Sequence, residues 1–363
     1  MRYFFIVLRT LVVFTSVFFL SNTYAENPRI KIGVIVPLSG GNATTGIAIK
    51  NGIELARHDH QEILRDLIFV YEDDGFDPKR DITAFNRLMV GQRPDVIFGL
   101  GPNLVEVLAA RLEGEQLPLV NFGFVAAPTI GKPLVVRTMN HTDQYMQALA
   151  NYLKSEGLKE LPVVVGEHAF FRAMTNSLVK GFGADQMVRE IANPAPDEVD
   201  FRGVILKLRN FRNTRVGLML FAPSLIAFLK QARGSGLTES FFGTDVCEGA
   251  ATLSEDPSLL DGCIYPDNDA SETFRAKYRK MFGDEAHLAF AANAYDMALL
   301  VGEVFQRSDK VKAGEFMLAL MHVKDRKGEL GTFSYTETND GGKFFEYPIH
   351  VKRIKSRRGV AIR

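Results

Sequence analysis

From Ile30 onward, short apolar runs alternate with segments whose apolar residues recur every three or four positions. The run "IKIGVIV" (Ile30 to Val36) leads through a glycine-rich turn to a segment where Ile49, Ile53 and Ala56 fall four and three apart, the spacing of one helix face. "LIFVYEDD" precedes "PKRDITAFNRLM", where Asp77 is placed to cap a helix and Pro78 to sit in its first turn. "DVIFGLG" precedes "NLVEVLAARLEG", and "LPLVNFG", "LVVRTM", "DQYMQALANYLKSEG" and "LPVVVG" continue the alternation. "RVGLMLF" then leads into "PSLIAFLKQARGSG", which ends in glycines as a helix does. Strands apolar on both faces that alternate with helices predict an α/β fold of parallel sheets flanked by helices. A chain of 363 residues is long enough for two such sheets and hence two domains. No low-complexity tract or long linker interrupts it, so the expected connections between lobes are short.

Composition narrows the function. Lysine plus arginine equals aspartate plus glutamate at 43 each, which argues against a nucleic-acid partner held by bulk charge. The first 25 residues read as a signal peptide: Arg2 and Arg9, then the apolar "LVVFTSVFFL", then "SNTYA" with Thr23 and Ala25 spaced for cleavage after Ala25. The apolar stretch is short for a membrane span, so export out of the cytoplasm is expected, with an uncleaved anchor as the alternative. Only two cysteines occur, Cys247 and Cys263. In an oxidising compartment such a pair is expected to form a disulfide, contributing roughly 3 kcal/mol for a loop of that size; two free thiols are the alternative.

Several chemistries are disfavoured by spacing. "GNATTGIA" places Gly41 and Gly46 as a phosphate loop would, but Ile47 and Ala48 stand where Lys and Ser/Thr are needed. The carboxylates of "YEDDGFDP" do not fit a calcium loop and read as a strand end plus a helix cap. His58 and His60, two apart on a predicted helix, point to different sides and read as a solvated face rather than a metal pair. No G-x-S-x-G or H-E-x-x-H is present, no cofactor motif appears, and an enzyme is not expected. The basic tail "VKRIKSRRGVAIR", including Lys352, reads as a solvated edge strand.

Five segments carry a family pattern: "IKIGVIVPLSG" with "NGIELA", "YEDDGFDP", "DVIFGLG", "LKQARGSGL" and "FFGTD". In that order they resemble the type I periplasmic binding proteins, and within them the branched-chain amino-acid and amide-binding (Leu/Ile/Val-binding protein-like) proteins of ABC importers. The resemblance runs from about Ile30 to about Tyr347. It implies two doubly wound parallel-sheet lobes joined by three hinge crossings. Residues 26–141 plus 267–333 would form the first lobe, and 142–266 plus 334–363 the second. The glycine turn would then belong to a cleft wall.

Carried over residue by residue, the resemblance also implies a ligand site. The aromatic of the family's first loop corresponds to Thr45. The Ser-rich turn that clamps a carboxylate is "GLGPNLVEV", leaving Asn103 as its only side-chain donor, and the next loop has Phe124 and Val125 near the expected Ala and Thr. Two second-lobe tyrosines correspond to Phe170 and Phe221, and the acidic partner of a ligand ammonium to Asp245, which could alternatively be a helix cap. The first-lobe disulfide common in the family is absent, since Phe76 and Gly101 stand there. Hydroxyl donors are thus replaced by phenyl rings, which shifts the expected ligand toward an amide or an aromatic compound. The implied function is capture of a small ligand and its delivery to an ABC permease, the alternative being a sensory receptor of the same fold.

Overall fold

The computed structural model describes residues 30–362 except 184–185, 213, 238, 284–285, 308–310 and 340; the expected signal peptide lies outside the described residues. In chain order the strands are β1 (Ile30–Val36), β2 (Leu67–Asp73), β3 (Val96–Leu100), β4 (Leu119–Phe122), β5 (Val135–Arg137), β6 (Glu160–Val165), β7 (Met187–Ala192), β8 (Arg215–Met219), β9 (Ser240–Phe242) and β10 (Ile264–Asp267). They continue as β11 (Arg326–Gly328), β12 (Gly331–Glu337), β13 (Lys343–Glu346), β14 (His350–Lys355) and β15 (Arg358–Ala361). The first sheet has the order β11-β12-β13-β5-β4-β3-β1-β2 and the second β15-β14-β10-β9-β8-β6-β7.

The parallel core of each sheet follows from its sequence. In β1 every residue but Lys31 is buried, because helices cover both faces, and β1 pairs in parallel with both β2 and β3. Asp77 caps the helix Pro78–Gly91 as its position predicts, accepting from the N–H groups of Lys79 and Arg80 at 2.8 and 3.1 Å. The long apolar helix Leu288–Gln306 is almost wholly buried and packs against helix Ala43–Asp59.

The chain passes between sheets three times: after β5, after β10, and between β13 and β14. The last passage lies later than the expected 333/334 boundary. Ser334 to Glu337 pair with Lys343 to Glu346, and Phe344 pairs with Arg137, so residues through Glu346 belong to the first sheet. β13 joins β5 in parallel, and β12 and β11 are then added antiparallel, an arrangement that β-type alternation alone does not assign to either lobe. Two buried asparagines stitch the passages together. Asn140 Nδ2 donates to the Tyr347 carbonyl (3.0 Å) and its Oδ1 accepts from the Tyr347 N–H (3.2 Å). Asn268 Nδ2 donates to Asn140 Oδ1 (3.2 Å) and to the Pro348 carbonyl (2.8 Å). Their amide groups satisfy backbone polar atoms that would otherwise be buried without partners.

Three further expectations are corrected. Helix Ala43–Asp59 stops before His60, which is half-buried with Nε2 2.9 Å from the Tyr295 hydroxyl, so the two histidines point apart as expected but only His58 belongs to a solvated helix face. Lys352 is buried rather than solvated, because β14 lies inside the second sheet, between β10 and the edge strand β15. Cys247 and Cys263 are two buried thiols with Sγ atoms 3.1 Å apart, the free-thiol alternative to the expected disulfide.

Candidate functional site

The carboxyl ends of the strands in both sheets face one cleft, where open α/β sheets bind ligands. From the first sheet, the turn after β1 supplies Asn42 and Thr45, the turn after β2 supplies Phe76, and β3 runs into Gly101 and Pro102. After β4 come Gly123, Phe124 and Val125. From the second sheet come Phe170 after β6, Phe221 after β8, and Asp245 after β9, while Phe290 reaches in from helix Leu288–Gln306. These residues enclose a cavity of about 50 Å³, room for one or two water molecules. A ligand of amino-acid size therefore enters by parting the lobes or displacing rings.

Six of the seven residues expected at the site, Thr45, Phe124, Val125, Phe170, Phe221 and Asp245, stand on this wall. Asn103 does not; its amide lies 3.2 Å from Nε2 of His168, joining the two lobes beside the cavity. His168 caps the helix Ala169–Phe182 by accepting the Phe170 N–H at Nδ1 (3.2 Å). Burial pushes its pKa down to about 4, so the imidazole is neutral at pH 7.

Aromatic rings bridge the lobes. Phe76 meets Phe221 (ring centroids 6.0 Å) and His168 (5.5 Å), and Phe124 meets Phe170 (5.8 Å). Phe76 itself adopts a left-handed φ of 63°, and its ring lies over Gly101, where an added Cβ would stand 2.9 Å from the ring edge. Gly101 also has φ +86°, so both its conformation and the ring above it favour glycine. Phe76 and Gly101, noted in the sequence only as replacements for a cysteine pair, thus touch each other and form part of the wall. Phe290 carried no signal, since every residue around it reads as core helix. The glycine turn has its own reason: a Cβ on Gly46 would lie 1.8 Å from the Pro37 carbonyl oxygen, so glycine lets the helix start against the strand end.

Asp245 is the one acidic residue of the wall among the described residues. It is 8% exposed, and its Oδ1 has no hydrogen-bond partner. Its side chain does not cap the helix Val246–Leu253, which removes the capping alternative. Burial first, then the charges of Asp267 and Glu248, push its pKa up to about 8. Behind it lies a buried ionic cluster. Lys352 Nζ stands 3.5 Å from Glu248, 3.3 Å from Asp267 and 3.4 Å from Asp269, and the Tyr265 hydroxyl donates to Glu248.

The family model described as periplasmic binding protein matches residues 29–345. The chain belongs to that family. Among curated relatives, the Leu/Ile/Val-binding protein BraC3 of Rhizobium johnstonii is 23% identical over 328 residues, spanning 86% of this chain and 88% of the relative. The substrate-binding protein LivJ of Streptococcus pneumoniae, solved in complex with isoleucine, superposes with a TM-score of 0.80 at 17% identity, covering 92% of this chain and 98% of that one. A solute-binding protein of an ABC transporter from Rhodopseudomonas palustris, solved with 3,4-dihydroxybenzoic acid, superposes at 0.78 with 20% identity, covering 90% and 93%. The fold is therefore that of a type I periplasmic binding protein, two parallel-dominated sheets flanked by helices. Members of this family are binding proteins of transporters.

Proposed function

We propose that the protein captures a small amino-acid-like, amide or aromatic ligand between its lobes and delivers it to an ABC permease in the membrane. Thr45, Phe124, Val125, Phe170, Phe221 and Asp245 would contact the ligand, with Asn103 acting at the rim through His168. The observation that carries this reading is a buried, unpartnered carboxylate oxygen facing a cavity otherwise walled by phenyl rings from both lobes. Such an oxygen is costly to leave unpaired, and a ligand donor would satisfy it. A ligand that touches both lobes favours the closed form, and the closed surface is what a permease would recognise. No bond is made or broken. The related solute-binding proteins solved with isoleucine and with a benzoic acid support the range of ligand classes.

A thermal-shift screen of amino acids, amides, aromatic acids and short peptides tests the binding step. At a hundred times its dissociation constant a ligand adds about 2.7 kcal/mol, a clear rise in Tm. A screen in which nothing stabilises the protein, or in which a bound compound is turned over, refutes the reading. Loss of uptake of the identified ligand in cells lacking this protein tests delivery, and mass spectrometry of the exported form tests cleavage after Ala25.

A further inference from the structure

We infer that the ligand is a monocation without a carboxylate, an aryl-alkyl ammonium whose ring lies among the phenyl groups and whose charge meets Oδ1 of Asp245. This rests on the reading of the cleft as a solute-binding site and narrows it to one chemical class. Three observations carry it.

The first is the charge balance. Asp245 faces Glu248 and the Cys247 thiol on its own helix, Asp267 from β10, and the Tyr145 hydroxyl from helix Thr142–Ser155. His287 lies beside Glu248, and Lys352 from β14 is committed to Glu248, Asp267 and Asp269. The carboxylate nearest the cavity is therefore the one without a cationic partner among the described residues. The second is the wall. Its polar side chains are Asn42, Thr45 and Asp245, and no lysine, arginine or histidine lines it. Phenyl faces attract cations, more strongly once water is excluded. The third is the place where a carboxylate would otherwise sit, the start of helix Gly101–Gly114. Pro102 in its first turn offers no N–H, and the Asn103 amide is engaged by His168 across the cleft. A carboxylate there would meet only first-turn backbone N–H groups, with no cation beside them on the wall, whereas an ammonium at Asp245 meets an oxygen that has no other partner.

Uptake of the cation exchanges it for a proton. Asp245, held up to about 8 by burial and by its acidic neighbours, carries a proton at pH 7 and must lose it to pair with an ammonium. Close to one proton is released per ligand, and affinity rises about fifty-fold between pH 6 and pH 8.

Titration calorimetry of the protein with 2-phenylethylamine, 3-phenylpropionate and phenylalanine decides the matter, run in two buffers of different ionisation enthalpy. The expected result is preference for the amine, proton release, the stated pH dependence, and at least a tenfold loss in Asp245→Asn. Should that variant fail to fold, the proton count on the unmodified protein still decides. Preference for the carboxylate or for phenylalanine, or amine binding without proton release, overturns the inference while leaving a solute-binding protein. Absence of binding by every compound here and in the broader screen removes the solute-binding reading as well.

Discussion

Replacing Phe76 by alanine tests whether the lobes are held together by their own side chains. The ring joins the first lobe to Phe221 and His168 of the second, with centroids 6.0 and 5.5 Å apart. Aromatic pairs contribute about 0.5–1.5 kcal/mol each beyond the area they bury, so losing two costs the closed form roughly 1–3 kcal/mol. The left-handed backbone at position 76 is equally unfavourable for phenylalanine and alanine, so that contribution cancels. At 1.4 kcal/mol per tenfold, the open-to-closed ratio of the ligand-free protein rises about 5- to 150-fold. Small-angle scattering or interlobe distance measurement by paired spin labels reads this directly. The variant should show a larger radius of gyration without ligand and return to the compact value with it. An unchanged distance distribution in the ligand-free state would refute the idea that Phe76 bridges the lobes energetically.

Three other outcomes are expected. Lys352→Met should cost about 3–5 kcal/mol at pH 8, because Glu248 and Asp267 lose their common cation in a buried site. Asp267 already sits near pH 7 and takes up a proton on acidification, so urea melts should show a smaller deficit at pH 5.5. Gly46→Ala should lower stability by roughly 1–3 kcal/mol in denaturant melts, since its Cβ would meet the Pro37 oxygen at 1.8 Å. Acidification should open the cleft. His168 is held near 4 when closed and returns toward its ordinary value when exposed, so its support for closure is present above about pH 6.5 and lost as pH falls toward 4. Interlobe distances measured from pH 7 to pH 4.5 should lengthen, and His168→Gln should abolish the change.

Much of this architecture was legible in the pattern of residues. The strand–helix alternation marks the parallel cores because burial on both faces leaves continuous apolar runs, as in β1 and β3. Asp77 and Pro78 mark a helix start because capping is a local matter, decided within four residues. Phe124, Phe170 and Phe221 came from register with a family pattern, and the geometry gathers them around one cavity. What was not legible depends on distant pairing. Lys352 lies in a run of basic residues that reads as solvent-facing, and only the burial of β14 between β10 and β15 turns it inward. Phe76 required the third dimension to be seen over Gly101, and Phe290 has no neighbour in sequence that distinguishes it from core. Strands β12 and β13 join the first sheet because Phe344 of β13 pairs with Arg137, a partner about two hundred positions earlier.

That late pairing sets the order in which the molecule can be completed. Neither lobe is a contiguous stretch of chain: the first sheet waits for β12 and β13, and the second for β14 and β15. The lysine that balances the buried carboxylates lies in β14, downstream of every strand of the first sheet. A chain emerging from its amino end therefore carries two unfinished sheets, and the second lacks its central counter-charge until β14 has followed the last strand of the first. Non-local pairings of this kind form slowly, because the entropy of closing a long loop is lost before the contact is gained. Each lobe is accordingly completed only when the chain has entered it a second time.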